Sequence, residues 1–183
     1  MEKMNALTIQ EILKKKDSVS IPWIQSAFSL DYKDAKEFLC MLMKRGWVEK
    51  ETQGVEYAVL KKNLRLRKLT PDEVDPLIED LTTDCATALK CIVDEDIGAT
   101  FEGIEDEVHG HEDTRTAIEI LTKHNLIYKA GDYYLTAVSR RTVTVLENVV
   151  RGMRQSELKR RISGKEDGKA FIWEMFAVLF DED

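Results

Sequence analysis

The segment of the chain best suited to bind a ligand is a cationic run at residues 61–68, Lys-Lys-Asn-Leu-Arg-Leu-Arg-Lys. Lysine and arginine neutralise phosphates, and the counter-ions released from DNA make such binding steeply dependent on salt. The run predicts phosphate contacts by Lys61, Lys62, Arg65, Arg67 and Lys68. The alternative is a solvated linker, or a helix ion-paired to the acidic residues that follow, and the sequence leaves both open.

The side chains that commonly ligate metals or act as nucleophiles are not arranged for that chemistry. Cys40, Cys85 and Cys91 are scattered through helical patterns without CxxC spacing, and we expect small buried side chains in a reducing compartment. His109 and His111 flank a glycine in an acidic stretch and are expected in a solvated loop. The sequence has no glycine-rich nucleotide loop and no nucleophile elbow. We therefore predict a non-enzymatic protein without metal or cofactor.

Charge is distributed unevenly along the 183 residues, whose net charge is −7. Residues 1–68 carry 14 Lys and Arg against 9 Asp and Glu, whereas residues 69–135 carry 4 against 17. A polyanion would be attracted by the first segment and repelled by the second. The sequence shows neither a signal peptide nor an apolar run of about 18 residues that could cross a membrane, so a cytoplasmic location without membrane contact is expected.

The first 68 residues show the pattern of a small domain. An amphipathic helix, a short extended piece and two further helices are predicted in succession, the third helix running from an N-cap at Asp31 to Gly46. Alternation around a turn then predicts a hairpin over residues 47–59. Helix, strand, helix, helix and hairpin is the order of a winged helix, in which the hairpin covers three packed helices.

The same order returns in the acidic segment, residues 69–136. Two helices are predicted before residue 95, and further helices over residues 101–108 and 113–124. A second hairpin is predicted over residues 126–135. The chain is therefore predicted to contain two structural repeats of similar size, a basic one followed by an acidic one.

Residues 137–183 are predicted to be a helical extension, with a charged stretch and a loop at residues 163–168. The last helix is apolar on every side except at Glu174, and such a helix must be buried. It either closes the protein's own core or contacts a partner, and a two-fold dimer would suit a palindromic DNA site. The aromatic residues that would make such a contact are Phe171, Trp173, Phe176 and Phe180. The predicted fold class is mainly α with small β-hairpins, an α+β fold of tandem winged-helix domains plus C-terminal helices.

A set of positions within residues 18–48 carries a recognisable pattern: Ser20, Gln25, Phe28, Leu30, Tyr32, Ala35, Leu39, Leu42, Gly46 and Val48. With this pattern the segment resembles the C-terminal gamma winged-helix domain of FtsK/SpoIIIE-type DNA translocases. The resemblance implies a winged helix that grips DNA, but nothing of the translocase motor is present because the chain has no GxxxxGK[ST] loop. At positions where that family carries basic residues, this chain has Ser26, Ala27, Asp34 and Glu37.

Two hypotheses of function follow. In the first, Tyr32, Lys33 and Lys36 on the outer face of the third helix enter the major groove, and the cationic run binds phosphates of double-stranded DNA. The protein would then be a transcriptional regulator or a mobile-element accessory factor. In the second, the chain is a protein-interaction or inhibitory module, which uses the acidic domain and the C-terminal helix to contact a protein partner or a second copy. The acidic side chains concerned are Glu105, Asp106, Glu107, Glu112, Asp113 and Glu119.

Overall fold

The computed structural model describes residues 5–51, 54–95, 98–151 and 166–180, without the side chains of residues 151 and 166–171. The fold is α+β, mainly helical with small antiparallel sheets, as the sequence predicts. The chain divides into two compact units. The first unit is residues 8–65, and the second unit combines residues 5–7 with the described residues from 66 to 180.

The elements of the first unit follow the predicted order. They are α1 (Ala6–Lys14), β1 (Ser18–Val19), α2 (Ile21–Phe28), α3 (Tyr32–Lys44), β2 (Val48–Lys50) and β3 (Tyr57–Val59), with a 3-10 turn at Lys61–Asn63. The strands form an antiparallel sheet in the order β1-β3-β2, in which Ala58 lies opposite Ser18 on one side and Glu49 on the other. The predicted hairpin is thus confirmed, and the short extended piece is its third strand.

Local sequence determines where α2 and α3 begin and end. The Ser20 hydroxyl accepts a hydrogen bond from the Trp23 N–H at 3.3 Å, and the Asp31 carboxylate accepts one from the Asp34 N–H at 2.8 Å. Ser29 follows α2 in the left-handed region at φ 53°, which turns the chain toward α3. Both helices bury one apolar face, formed by Ile24, Phe28, Ala35, Leu39 and Leu42.

The second unit contains more helices and a two-stranded sheet. Its elements are α4 (Pro71–Asp80), α5 (Thr83–Asp94), α6 (Phe101–Val108), α7 (His111–Lys123), β4 (Ile127–Ala130), β5 (Tyr133–Thr136), α8 (Arg140–Arg151) and α9 (Glu166–Ala177). Strands β4 and β5 are antiparallel, with Ile127 opposite Thr136, which confirms the second predicted hairpin. Ala99 adds a bridge on the outer side of β5, since its N–H and C=O both bond to Tyr134, at 3.2 and 2.8 Å.

The stretch from α5 to β5 repeats the element order of α1 to β3. The N-cap of α6 is Thr100, whose hydroxyl accepts from Gly103 N–H at 3.1 Å as Ser20 does in α2. His109 ends α6 at φ 63°, as Ser29 ends α2. Helices α3 and α7 both have 13 residues. The two repeats therefore agree in element order, helix length and turn conformation, although few of their residues are identical.

The C-terminal helices belong to the core of the second unit, rather than forming a separate third segment. Ile172 and Phe176 of α9 are 1% and 0% exposed and share a core cluster with α5 and α8. Trp173 is half-buried, and its Nε1 donates to an Asp75 carboxylate oxygen at 3.1 Å. These contacts correct the assignment of Phe176 to a partner surface, because its ring is fully covered within the unit, whereas Trp173 is covered only in part.

Phe180 is also half-buried, and its ring lies 6.4 Å from the ring of Trp173, so it too packs within the unit. The side chain of Phe171 and the charged stretch at residues 154–161 lie outside the described residues. Residues 166–168, predicted as part of a loop, form the first turn of α9, where the acidic residues Glu166 and Asp167 suit the N-terminus of a helix. No helix in the described ranges combines the length and apolar character that a membrane span requires.

Candidate nucleic-acid interface

The outward side of α3 carries a row of basic side chains. Lys33, Lys36, Cys40 and Lys44 are spaced by three or four residues and therefore share one face of the helix, opposite its buried residues. All four are exposed, and the three lysines make no ion pair with another described residue. Tyr32, 62% exposed, and Met43, 42% exposed, flank this row. We call these six residues the α3 face.

The 3-10 turn is held beside the C-terminal end of α3. The Asn63 side-chain amide donates to the Gly46 carbonyl at 2.7 Å, and the Leu60 N–H donates to the Trp47 carbonyl at 2.8 Å. Lys61 and Lys62 in this turn are exposed. The structure thus places the first part of the cationic run next to the loop that follows the α3 face.

Lys61 is paired with a carboxylate that sequence analysis did not associate with it. Its Nζ lies 2.5 Å from Asp17 Oδ1, and the hydrogen bond and positive charge of Lys61 lower the pKa of the Asp17 carboxyl. The Asp17 side chain is 95% exposed, so water screens the pair strongly. Lys61 therefore remains accessible to a stronger anion such as a phosphate.

Arg67 departs from its predicted role. Its guanidinium donates to the Glu73 carboxylate and, at 3.2 Å, to the His124 carbonyl, while its backbone N–H bonds to the Ala137 carbonyl at 2.8 Å. These contacts join the start of the second unit to α4 and to the end of α7, so the side chain is structural. Arg65 is exposed in the first unit and Lys68 in the second, so the predicted run is divided between the two units.

The β2–β3 hairpin has the opposite charge from the α3 face. Glu49, Glu51 and Glu56 are exposed there, with Lys50 as the cation between them. The Glu56 carboxylate accepts a hydrogen bond from the Ser18 hydroxyl at 2.7 Å. This hairpin would be repelled by phosphates and is therefore not a candidate for contact with DNA.

Helix α7 is the equivalent of α3 in the second unit, and its outward face differs in charge. Glu112, Arg115, Glu119 and Lys123 occupy the positions of Lys33, Lys36, Cys40 and Lys44. Lys123 Nζ is bound to Asp80 at 2.6 Å, and an Arg115 nitrogen lies 3.4 Å from the His111 ring. His124 also contacts Asp80 at 2.7 Å, and Lys123 and His124 together lower the pKa of the Asp80 carboxyl. The cations of α7 are therefore few and have partners within the unit.

The predicted acidic surface is centred on α6 and α7. The exposed carboxylates among the predicted residues are Asp106, Glu107, Glu112, Asp113 and Glu119. Glu105 is partly buried and lies 3.3 Å from the His111 ring. The second unit thus presents an anionic face that phosphate would avoid.

Among the described residues, no group of three or more histidine, cysteine, aspartate or glutamate side chains is arranged to hold a metal ion. Burial raises the pKa of the Cys85 thiol, and burial raises that of Cys91 to about 11, so both stay protonated at neutral pH. Cys40 contradicts the expectation of burial, because it lies on the exposed side of α3. His109 is exposed in the turn between α6 and α7, as expected for a solvated loop, whereas His111 begins α7.

Lys15 and Lys16 are two further exposed cations that were not among the predicted phosphate contacts. Both are exposed immediately after α1, and the next residue, Asp17, is the one that pairs with Lys61. The signal in the sequence was the charge of residues 14–16, but only the tertiary contacts show that Asp17, which follows them, meets Lys61.

No protein-family model, curated protein sequence or solved structure matches the chain, so the resemblance of residues 18–48 rests on the residues themselves.

Proposed function

We propose that the chain is a non-catalytic DNA-binding protein whose first unit is a winged helix. The order helix, strand, helix, helix, strand, strand in residues 6–59 supports this assignment, and so does the agreement between the two repeats. In a helix-turn-helix the second helix of the pair lies in the major groove, and α3 has that place here. The residues proposed to contact double-stranded DNA are Tyr32, Lys33, Lys36, Lys61, Lys62 and Arg65.

The observation that carries the proposal is the contrast between α3 and α7. Two helices of equal length occupy the same place in two repeats, yet the outward side of α3 presents three lysines and one carboxylate, Glu37, whereas the equivalent positions of α7 alternate in charge. Three lysines against one carboxylate leave an excess of positive charge on this side of α3, which an anionic partner neutralises. A polyanion is therefore the partner that fits the α3 face best.

The kind of DNA contact also follows from the side chains. Lysine ammonium groups bind phosphates and can donate to guanine O6 and N7, whereas the exposed Tyr32 supplies an apolar surface at the helix start. A face with this composition supports strong electrostatic binding with limited sequence preference. A transcriptional regulator or a mobile-element accessory factor would use such a module.

The second unit favours a different role. Because α6 and α7 present mainly carboxylates, this unit would contact a protein, and the whole chain would then link DNA to that partner. An interaction or inhibitory module without DNA binding is the competing function. It predicts that the chain does not retain duplex DNA even at low salt.

A charge reversal at one lysine tests the proposal, with a matched control in the other repeat. Lys36→Glu should weaken binding of duplex DNA by at least about eightfold near 0.1 M salt, because each lost phosphate contact removes about 0.9 from the slope of log K against log salt. Arg115→Glu changes the equivalent position of α7 by the same charge and should leave binding unchanged.

Fluorescence anisotropy across a salt series measures both effects. If the natural chain fails to bind duplex DNA at low salt, the proposal is wrong. Equal losses for Lys36→Glu and Arg115→Glu would mean that only net charge matters and that α3 is not the contact helix.

A further inference from the structure

Two short segments of the first unit, residues 15–17 and 59–62, meet at Asp17, and each carries two lysines. After α1 the chain turns, with the Lys16 N–H donating to the Leu13 carbonyl at 2.9 Å. The Asp17 carbonyl then accepts from the Val59 N–H at 2.8 Å, and β1 continues antiparallel to β3. Asp17 therefore lies beside Val59 and Lys61, where Lys15 and Lys16 directly precede it along the chain and Lys62 directly follows Lys61.

These two segments carry four lysines and one carboxylate. Lys15, Lys16, Lys61 and Lys62 are all exposed, and Asp17 is bound to Lys61. The Lys16 ammonium lies 5.5 Å from the centre of the Trp23 ring, which holds it over the start of α2. Lys15 and Lys62 make no ion pair with a described residue. The cluster thus keeps an excess of positive charge after its internal pairing.

We propose that Lys15, Lys16, Lys61 and Lys62 form a second phosphate-binding surface for double-stranded DNA, separate from the α3 face, and that Asp17 weakens it by occupying Lys61. The proposal rests on the proposed function, because it requires that the first unit binds DNA. It adds Lys15 and Lys16, and it gives Asp17 a role that opposes binding.

The composition of the cluster favours DNA over an acidic protein as the partner. Protein interfaces are depleted of lysine and are anchored by aromatic or aliphatic side chains. The large apolar side chains exposed in the described residues are Tyr32, Met43, Val55 and Val178, and none belongs to these two segments. Lysines without an apolar anchor suit phosphates, which need charge and no apolar contact.

The contacts made here would carry no sequence information, since phosphates are the same at every base pair. They would raise the affinity for any duplex and fix how the first unit lies on it. The salt dependence of binding, rather than sequence preference, is therefore the property that reports on this surface.

The test uses the full chain and a duplex of random sequence, with affinity measured between about 50 and 200 mM salt. In the variant Lys15→Gln/Lys62→Gln, the slope of log K against log salt should become shallower by about 1.8, and affinity near 0.1 M salt should fall about 60-fold. Asp17→Asn should tighten binding several-fold, because it releases Lys61. Lys50→Gln on β2 is the matched control in the same unit, and it should not change the slope.

The outcomes separate the two proposals. An unchanged slope in Lys15→Gln/Lys62→Gln, or unchanged affinity in Asp17→Asn, overturns the second surface, while loss of binding in Lys36→Glu would still support the first. A natural chain that does not bind duplex DNA overturns both. Asp17→Asn guards against a folding artefact, since a damaged protein would not bind more tightly.

Discussion

The substitution Phe176→Ala tests whether α9 is part of the protein's own core. Phe176 is 0% exposed in the core cluster of the second unit, and α9 packs against α8. Removing a fully buried phenylalanine side chain leaves a cavity that the surrounding helices fill only partly. We expect the second unit to lose about 3–5 kcal/mol of unfolding free energy.

That loss is large against the total stability of a domain, which is about 5–15 kcal/mol. It corresponds to a fall in Tm of roughly 10–20 °C for a unit of this size. Val178→Ala provides the comparison in the same segment, because Val178 is 42% exposed and its truncation should cost less than about 1 kcal/mol.

Urea unfolding followed by circular dichroism measures both variants, and native mass spectrometry gives their molecular mass. If α9 instead formed a dimer contact, Phe176→Ala would lower the mass of the assembly from that of a dimer to that of a monomer. The stability of the monomer would then stay nearly the same. A cost below about 1 kcal/mol for Phe176→Ala would refute the assignment of α9 to the core of the second unit.

Two further predictions concern the second unit. The pKa of Asp80 is lowered by hydrogen bonds from Lys123 and His124, so its contribution to stability is present above about pH 4 and is lost as the pH falls through the lowered pKa. Asp80→Asn should therefore lower the free energy of unfolding by about 1 kcal/mol at pH 7 and leave it unchanged below the lowered pKa. Unfolding measured at several pH values tests this, and a loss of the same size at every pH would contradict it. Gly98 has φ +91°, and a Cβ there would lie 2.6 Å from the Tyr134 carbonyl oxygen, so Gly98→Ala should cost about 2 kcal/mol or more in chemical unfolding. Gly131→Ala, at φ +65° with open space around it, should cost clearly less, and equal costs would exclude the close contact as the cause.

The secondary structure could be predicted from the sequence because its signals are local. Apolar spacing, N-caps such as Asp31 and turn residues act within a few positions, and the structure has both hairpins and the helices α1 to α8 where they were expected. The error at residues 166–168 has the same origin, since a glycine and charged residues indicate a loop, although acidic residues equally suit the first turn of a helix. Likewise, the lysines of α3 were predicted to be exposed because helical periodicity alone separates them from Ala35 and Leu39.

By itself, then, the sequence determined the element order, the α+β class and the opposite charges of the two repeats, because each of these depends on residue type and local spacing. Tertiary structure decided which distant side chains meet: Arg67 with Glu73, Trp173 with Asp75, and Asp17 with Lys61. Such pairs join residues up to 98 positions apart, and no periodic pattern along the chain records them. Whether a lysine or an aromatic side chain is available to a partner depends on those meetings, because burial and ion pairing are properties of the packed chain.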